Sequence, residues 1–438
     1  MAVQKSVLRN GITIVTKQMP YARSVSMGVW VNVGARDESQ EENGLSHLIE
    51  HMIFKGTTLR SAFQIAKEFD AIGGQTNAFT AMENTCYHAR VMDTHLDKMV
   101  DILSDIFLNS LFDELEIDRE RPVILQEIGM VEDSPEDFIH MLSGRNFWGE
   151  NPLGRSILGT PDNISRFSAD DIRGFFHRYY QPQRIVISAA GNLQHHKIVE
   201  LIQPAFETIQ RGDDFPKREA PECRSFINVN HRQLEQVHIC LATRGLATTD
   251  PRRYGFSLMN TVFGGNMSSR LFQEIRERRG LAYSVYSFIS SYEDTGMFGA
   301  YAGVEPRNVK ETTDLLIREL RRLCSEPISD AELQDAKEYT KGNLLLAAES
   351  TDNQMVRLAQ GEIHFGRHIP LDEVIGQIDS VTSEDILSLS SELFAENRIV
   401  LTTLGSFSEA SLFEKMLIAD SHGQWLSQPG PPGSVDHG

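Results

Sequence analysis

At 438 residues, and at roughly 150 residues per domain, the chain has room for two or three domains, each with its own core. Hydrophobic residues make up 40% and charged residues 24%, a balance that excludes wholesale disorder. Forty-two Lys and Arg against 61 Asp and Glu leave a formal charge of −19, which repels a phosphate backbone and argues against nucleic acid as a partner. The N-terminal segment has no charged head followed by a continuous apolar run, so it does not read as a secretory signal. Leu8-Arg9-Asn10-Gly11-Ile12-Thr13-Ile14-Val15 sets an Asn-Gly turn beside a β-branched run and predicts a hairpin. Alternation over 25–33 predicts a further strand, and 3.6-residue periodicity predicts helices over 44–54, 61–72, 94–109 and 113–132. Strands and helices mix without the regular alternation of a doubly wound sheet, so the expected class is α+β.

No run of about 18 apolar residues occurs to span a bilayer. The four cysteines (Cys86, Cys223, Cys240, Cys324) are scattered without CxxC spacing, which suits a reducing compartment rather than a disulfide framework. The expectation is a soluble, cytoplasmic chain with no membrane partner.

Internal similarity is more informative. Phe167-Ser168-Ala169-Asp170-Asp171-Ile172 resembles Val381-Thr382-Ser383-Glu384-Asp385-Ile386, 214 residues on. Arg184-Ile185-Val186-Ile187 with Gly191 matches Arg398-Ile399-Val400-Leu401 with Gly405 at the same offset. Gly34 and Gly44-Leu45-Ser46 answer to Gly245 and Gly255-Phe256-Ser257 at 211. Such a period far exceeds the units of about 20–50 residues found in solenoids. It predicts two copies of one domain, 1–210 and 222–422, joined by a polar Gly- and Pro-containing linker at 211–221, with a disordered tail at 423–438.

Gly44-Leu45-Ser46-His47-Leu48-Ile49-Glu50-His51-Met52 lies in a helical pattern. His47 and His51, four apart, project from one face and can share a cation. Glu50 stands beside them, and this H-x-x-E-H order is the inverted zincin motif. Imidazole and carboxylate donors suit zinc, whose catalytic sites take three protein ligands and keep a position open. The flanking Leu45, Leu48, Ile49, Met52 and Ile53 imply partial burial, where unpaired polar groups are costly. A third ligand has to come from elsewhere. Glu127, 76 residues beyond His51, sits in the apolar run Val123-Ile124-Leu125-Gln126-Glu127-Ile128 and needs a partner. Glu120 is two turns earlier on nearly the same face. Pro122, between them, should kink or restart that helix.

Together these features resemble the pitrilysin and mitochondrial-processing-peptidase family of inverted zinc metallopeptidases, over nearly the whole chain and closest in type to bacterial proteins of one processing-peptidase subunit's length. The resemblance implies two homologous domains, each a mainly antiparallel sheet packed with helices and together forming half of a clamshell. It implies one Zn2+ per chain on His47, His51 and Glu127, with Glu50 as general base and Glu120 supporting a ligand histidine or the water network. Asn77, Ala78, Phe79 and Thr80, within Gly73-Gly74-Gln75-Thr76-Asn77-Ala78-Phe79-Thr80, look like the family's edge strand, on which an extended peptide pairs. Arg276 and Tyr283 fit the spacing of an arginine and a tyrosine that contact the peptide, with Arg278, Arg279 and Tyr286 nearby.

At offset 211, His47, Glu50 and His51 fall on Leu258, Thr261 and Val262, so the second copy cannot bind the metal. Phe263-Gly264-Gly265-Asn266 is far shorter than the glycine-rich loop of the non-catalytic processing-peptidase subunit. The implied activity is hydrolysis of peptides or unfolded protein segments in an enclosed chamber. A two-domain chain would close that chamber as a homodimer, with Arg276 and Tyr283 serving the partner's zinc. The acidic balance becomes a candidate chamber lining for basic peptides. The alternatives are a non-catalytic scaffold, as relatives are in respiratory complexes, and a subunit of a heteromeric peptidase.

Overall fold

The computed structural model describes residues 3–212, 215–222, 225–395, 399–411 and 413. The expected tail at 423–438, Cys223 and Arg398 lie outside them, as do two residues of the linker, Asp213 and Asp214.

The first half builds a six-stranded sheet from β1 (Val3–Val7), β2 (Thr13–Gln18), β3 (Ser24–Val31), β4 (Gln75–Thr80), β5 (Thr85–Met92) and β6 (Ile185–Gly191), in the spatial order β1-β2-β6-β3-β5-β4. The second half builds five strands, β7 (Phe226–His231), β8 (Val237–Arg244), β9 (Ala282–Ser291), β10 (Gly296–Val304) and β11 (Val400–Gly405), in the order β7-β11-β8-β10-β9. With β1 set aside, the two orders correspond strand for strand. In each, the late strand inserts parallel to one neighbour (β6 on β2, β11 on β7) and antiparallel to the other. All remaining pairs are antiparallel. The class is α+β, with two like halves.

The matched sequence pairs acquire physical reasons. Gly191 and Gly405 close β6 and β11 at φ +139° and +147°, in the region that favours glycine. A Cβ on either would collide with a carbonyl oxygen, of Ser24 or of Gln236. Ser168 and Thr382 start equivalent helices through the same reciprocal box. Each hydroxyl accepts the N–H of an aspartate three residues on, Asp171 or Asp385, whose carboxylate takes the capping residue's own N–H.

Each sheet packs one face on its own helices and the other on a helix from the opposite half. In β3, Val25, Met27, Val29 and Val31 point into the first core, where Leu48, Met99 and Ile172 meet them. Trp30 points the other way, as the two-residue period of a strand requires. There it meets Met355, Leu358 and Ala359 of the helix Thr351–Phe365. Reciprocally, the helix Pro135–Trp148 sets Ile139 against Cys240, Tyr301 and Leu404, and Phe147 and Trp148 against Ala242, Met297 and Val400. Both helices begin on a serine cap, Ser134 or Ser350. A division near residue 210 therefore leaves each half holding a helix that packs on the other's sheet.

A network of ion pairs, buried at Arg36, Glu83, Asp37 and Arg218 and reaching solvent at Glu293, ties the hairpin ends together. Arg36 bridges Glu83 at 2.6 Å and Asp294 at 2.8 Å, and Arg218 bridges Asp37 at 2.7 Å and Glu293 at 3.0 Å. Cys86, Cys240 and Cys324 are free. Among the described residues no helix is long and apolar enough to cross a membrane.

Candidate metal centre

The motif helix is Leu45–Met52, held by Leu45, Leu48, Ile49 and Met52 in the first core. Their spacing leaves His47 and His51 on a common face, with ring centroids 4.5 Å apart. The helix Glu114–Asp133 packs alongside through Ile117, Ile124 and Ile128. It runs on through Pro122 without restarting. Proline removes the N–H that would reach the Asp118 carbonyl, and both residues lie on the exposed face of the helix.

Glu127 thereby reaches the histidines. Its Oε2 stands 3.6 Å from His47 Nε2 and 3.5 Å from His51 Nε2, and one donor atom from each of the three residues fits within 4.8 Å of the others. These separations exceed hydrogen-bond range. They approach the roughly 3.4 Å edge of a tetrahedron whose corners are about 2.1 Å from a central ion. His47 Nδ1 is buried without a hydrogen-bond partner, so no neighbour commits its proton. Burial, and then the charge of His51, lowers the His47 pKa to about 4, which keeps the imidazole neutral and able to donate a lone pair. The group fits a divalent cation of zinc's preferences.

Support comes from outside the triad. Glu120 is buried, with Oε1 2.8 Å from His51 Nδ1 and Oε2 2.5 Å from Lys55 Nζ. Burial pushes its pKa upward, but hydrogen bonds from Lys55 and His51 outweigh that and hold it below the usual value. Glu50 accepts a hydrogen bond from Thr80 Oγ1 at 2.7 Å. Burial raises its pKa, with the Thr80 bond opposing, and it feels the charges of His51 and Glu127.

Asn77, Ala78, Phe79 and Thr80 lie on β4, the edge strand of the first sheet. Thr80 and Ala78 face the motif helix and core, whereas Phe79 turns to Trp30, 5.5 Å between centroids. The Ala78 N–H is held by Asn77 Oδ1 at 2.9 Å. Arg276 lies in a π-helical segment, Phe272–Glu277. Its guanidinium donates to the Tyr283 carbonyl at 3.0 Å and stacks over the Tyr283 ring at 4.6 Å. Tyr283 is 78% exposed. The hydrogen bonds and ring contacts of this pair stay within the second half. The neighbouring candidates are committed elsewhere, Arg278 and Arg279 to Glu274 and Tyr286 to Glu136 and His140.

Comparison with known proteins points to one family. Residues 13–161 match the model of insulinase (peptidase family M16), and 166–339 match that of the peptidase M16 inactive domain. An uncharacterized zinc protease of Bacillus subtilis, YmxG, is 41% identical over 90% of this chain and 96% of its own. One from Streptomyces coelicolor is 40% identical over 93% and 90%. The chain belongs to peptidase family M16.

Solved structures share the fold at low identity. A Helicobacter pylori protease superposes with a TM-score of 0.85 at 21% identity, covering 92% of this chain and 99% of that one. A peptidase M16 inactive domain from Pseudomonas fluorescens gives 0.87 at 18%, covering 93% and 99%. A chain of Candida albicans complex III2 gives 0.82 at 19%, covering 95% and 100%. The M16 inactive-domain match begins within the first half and takes in the helix Arg253–Phe263, where Leu258, Thr261 and Val262 are buried.

Two contacts had gone unmarked in the sequence. Lys55 lies in the turn that follows the motif helix, so helical spacing does not place it. Glu38, which accepts the Ser46 N–H at the start of the motif helix at 2.7 Å, lies in a loop and gives no periodic signal.

Proposed function

We propose that this M16 chain is a zinc-dependent endopeptidase that hydrolyses peptides or unfolded segments, in the manner of a processing peptidase. The observation that carries the reading is the convergence of His47, His51 and Glu127 with Glu50 adjoining. His47 and His51 would hold the ion through Nε2 and Glu127 through a carboxylate oxygen. Zinc supplies Lewis acidity when bound, polarising a carbonyl and acidifying water. Glu50, anchored by Thr80, takes the proton of the attacking water and passes it to the leaving amine. Its upward-shifted pKa suits both halves of that task. Glu120 fixes the His51 ring. The free edge of β4 pairs with an extended substrate backbone, which favours unfolded chains.

Arg276 is half-buried and Tyr283 exposed, and their hydrogen bonds and ring contacts do not reach the metal-facing group. They fit a role on a second copy of the chain, hydrogen-bonding the bound peptide or its developing oxyanion. The proposed assembly is a homodimer that closes the chamber. Mixing Glu50→Gln with Arg276→Ala, each inactive alone, should restore activity by leaving one intact site per mixed dimer. No recovery despite proven subunit exchange overturns the trans arrangement.

The primary test is the purified chain assayed on unstructured fluorogenic peptides, with zinc measured directly. Activity lost to a chelator and regained with zinc is expected. A folded, zinc-free, inactive protein would favour the scaffold alternative, and a zinc-loaded inactive one would favour a heteromeric partner.

A further inference from the structure

Glu38 is a carboxylate sealed in the protein, 2% exposed, and among the described residues it forms no ion pair. A buried charge in that position is costly unless its lone pairs are filled. They are filled by the start of the metal helix. Oε1 accepts the Ser46 N–H at 2.7 Å, and Oε2 accepts the Gly44 N–H at 2.8 Å and Asn43 Nδ2 at 3.0 Å.

The first amides of a helix have no partner within it, and a capping side chain usually supplies one. Here the capping position is Gly44, which has no side chain to offer. It is glycine for another reason. Its φ is +106° and a Cβ would sit 2.9 Å from Gly159 Cα and from Ile164 Cδ1. The cap is therefore delivered from six residues upstream, at the positive end of the helix dipole, by a carboxyl whose pKa burial raises to about 7 against the hydrogen bonds from Ser46, Gly44 and Asn43.

Glu38 is itself held in place. Its carbonyl accepts Arg155 Nη1 at 2.7 Å, and Asn43 also donates to the Ser156 carbonyl at 2.9 Å. His47 follows directly on Ser46, whose N–H the carboxylate grips, and Glu50 is one turn further on. Any slip or rotation at this end moves a ligand and the general base together.

We propose that Glu38 is a positioning residue of the metal centre, its carboxylate fixing where the H-x-x-E-H helix begins and so where His47 and Glu50 stand. This rests on the zinc-peptidase reading above. Wild-type protein that binds no zinc or cleaves no peptide defeats that reading first, without reaching Glu38.

The test compares Glu38→Gln and Asn43→Ala with wild type in three measurements. These are zinc affinity by competition with a chromophoric chelator, kcat and KM on a fluorogenic peptide, and thermal unfolding of the metal-free protein. Glutamine keeps the shape but must turn its NH2 toward the Ser46 or Gly44 N–H, donor against donor. The expected result is zinc affinity weakened about tenfold or more, in the range seen for groups that orient metal ligands. In zinc-saturated protein kcat should fall with KM held. Asn43→Ala, which removes one of the three donors to the carboxylate, should change both in the same direction by less. Glu38→Gln that is folded and matches wild type in zinc affinity and kcat overturns the proposal. So does a lowered unfolding temperature with both of those unchanged, since that marks a purely structural role. If Glu38→Gln does not fold, Asn43→Ala decides, and wild-type values there overturn it equally.

Discussion

His51 Nδ1 and Glu120 Oε1 stand 2.8 Å apart. An ionised carboxylate only accepts, and Glu120 is kept ionised by the adjoining Lys55 ammonium. The proton of that hydrogen bond therefore belongs to His51 Nδ1, which leaves the Nε2 lone pair facing Glu127 and His47. Replacing Glu120 with Ala frees the ring to rotate and to change tautomer. Zinc affinity should fall by about 10–100-fold, measured against a competing chelator. Unchanged affinity would show that packing alone orients the ring.

Lys55 makes a separate prediction with a definite sign. Its hydrogen bond and charge lower the Glu120 pKa against the upward push of burial. In Lys55→Met the Lys55 share of that depression is lost, the His51 share remains, and the pKa rises. Protonated Glu120 no longer accepts the His51 proton, so it supports the metal only above its pKa. As pH falls, zinc should therefore be released from Lys55→Met at a higher pH than from wild type. Titration of zinc binding from pH 8 downward checks this, and superimposable curves count against it.

The site was legible in the sequence where its chemistry was local. Two histidines four apart and a glutamate inside an apolar run announce themselves, because burial makes unpaired donors expensive. The duplicated fold was legible through residues with a single physical task, the strand-closing Gly191 and Gly405 and the capping pairs of Ser168 and Thr382. At Pro122 a kink or a restart was expected, and the helix Glu114–Asp133 runs through it without restarting. Glu38 and the exchanged helices were invisible for a common reason. Glu38 is defined by the amides it meets across a loop, and nothing within 135–148 reveals that its apolar side belongs to the other half's sheet.

Thr80 gives a test of the general base that leaves the metal ligands untouched. Its hydroxyl donates to Glu50 Oε2 at 2.7 Å and opposes the upward shift from burial. In Thr80→Val the Glu50 pKa should rise further. The acidic limb of the kcat profile should then move to higher pH, because Glu50 must be ionised to accept the water's proton. Zinc content should stay at wild type. The loss in kcat at neutral pH should be smaller than the roughly 10²–10⁴-fold that general acid–base groups contribute. An unmoved acidic limb would mean that another group limits the rate there.

The exchanged helices predict that neither half stands alone. A fragment ending at residue 210 keeps β1 to β6 but loses Thr351–Phe365, and so exposes Val15, Met19, Trp30, Cys86, Val186 and Ala190, all buried in the intact chain. It also strands the helix Pro135–Trp148, whose Ile139, Phe147 and Trp148 pack on the absent second sheet. Apolar patches of that kind are not tolerated on a soluble monomer. The fragment should aggregate or bind a hydrophobic dye, and a soluble fragment with a cooperative thermal transition would contradict the coupling. The full chain offers a subtler probe at the same contact. Gly28 leaves the space that Met355 Sδ fills, since a Cβ there would stand 2.7 Å from the sulfur. Met355→Ala should cost about 2–5 kcal/mol through the cavity it opens. Because Met355 belongs to the second half and its cavity to the first, that loss should appear in a single unfolding transition shared by both. Two separate transitions, with only one displaced, would show that the halves unfold independently.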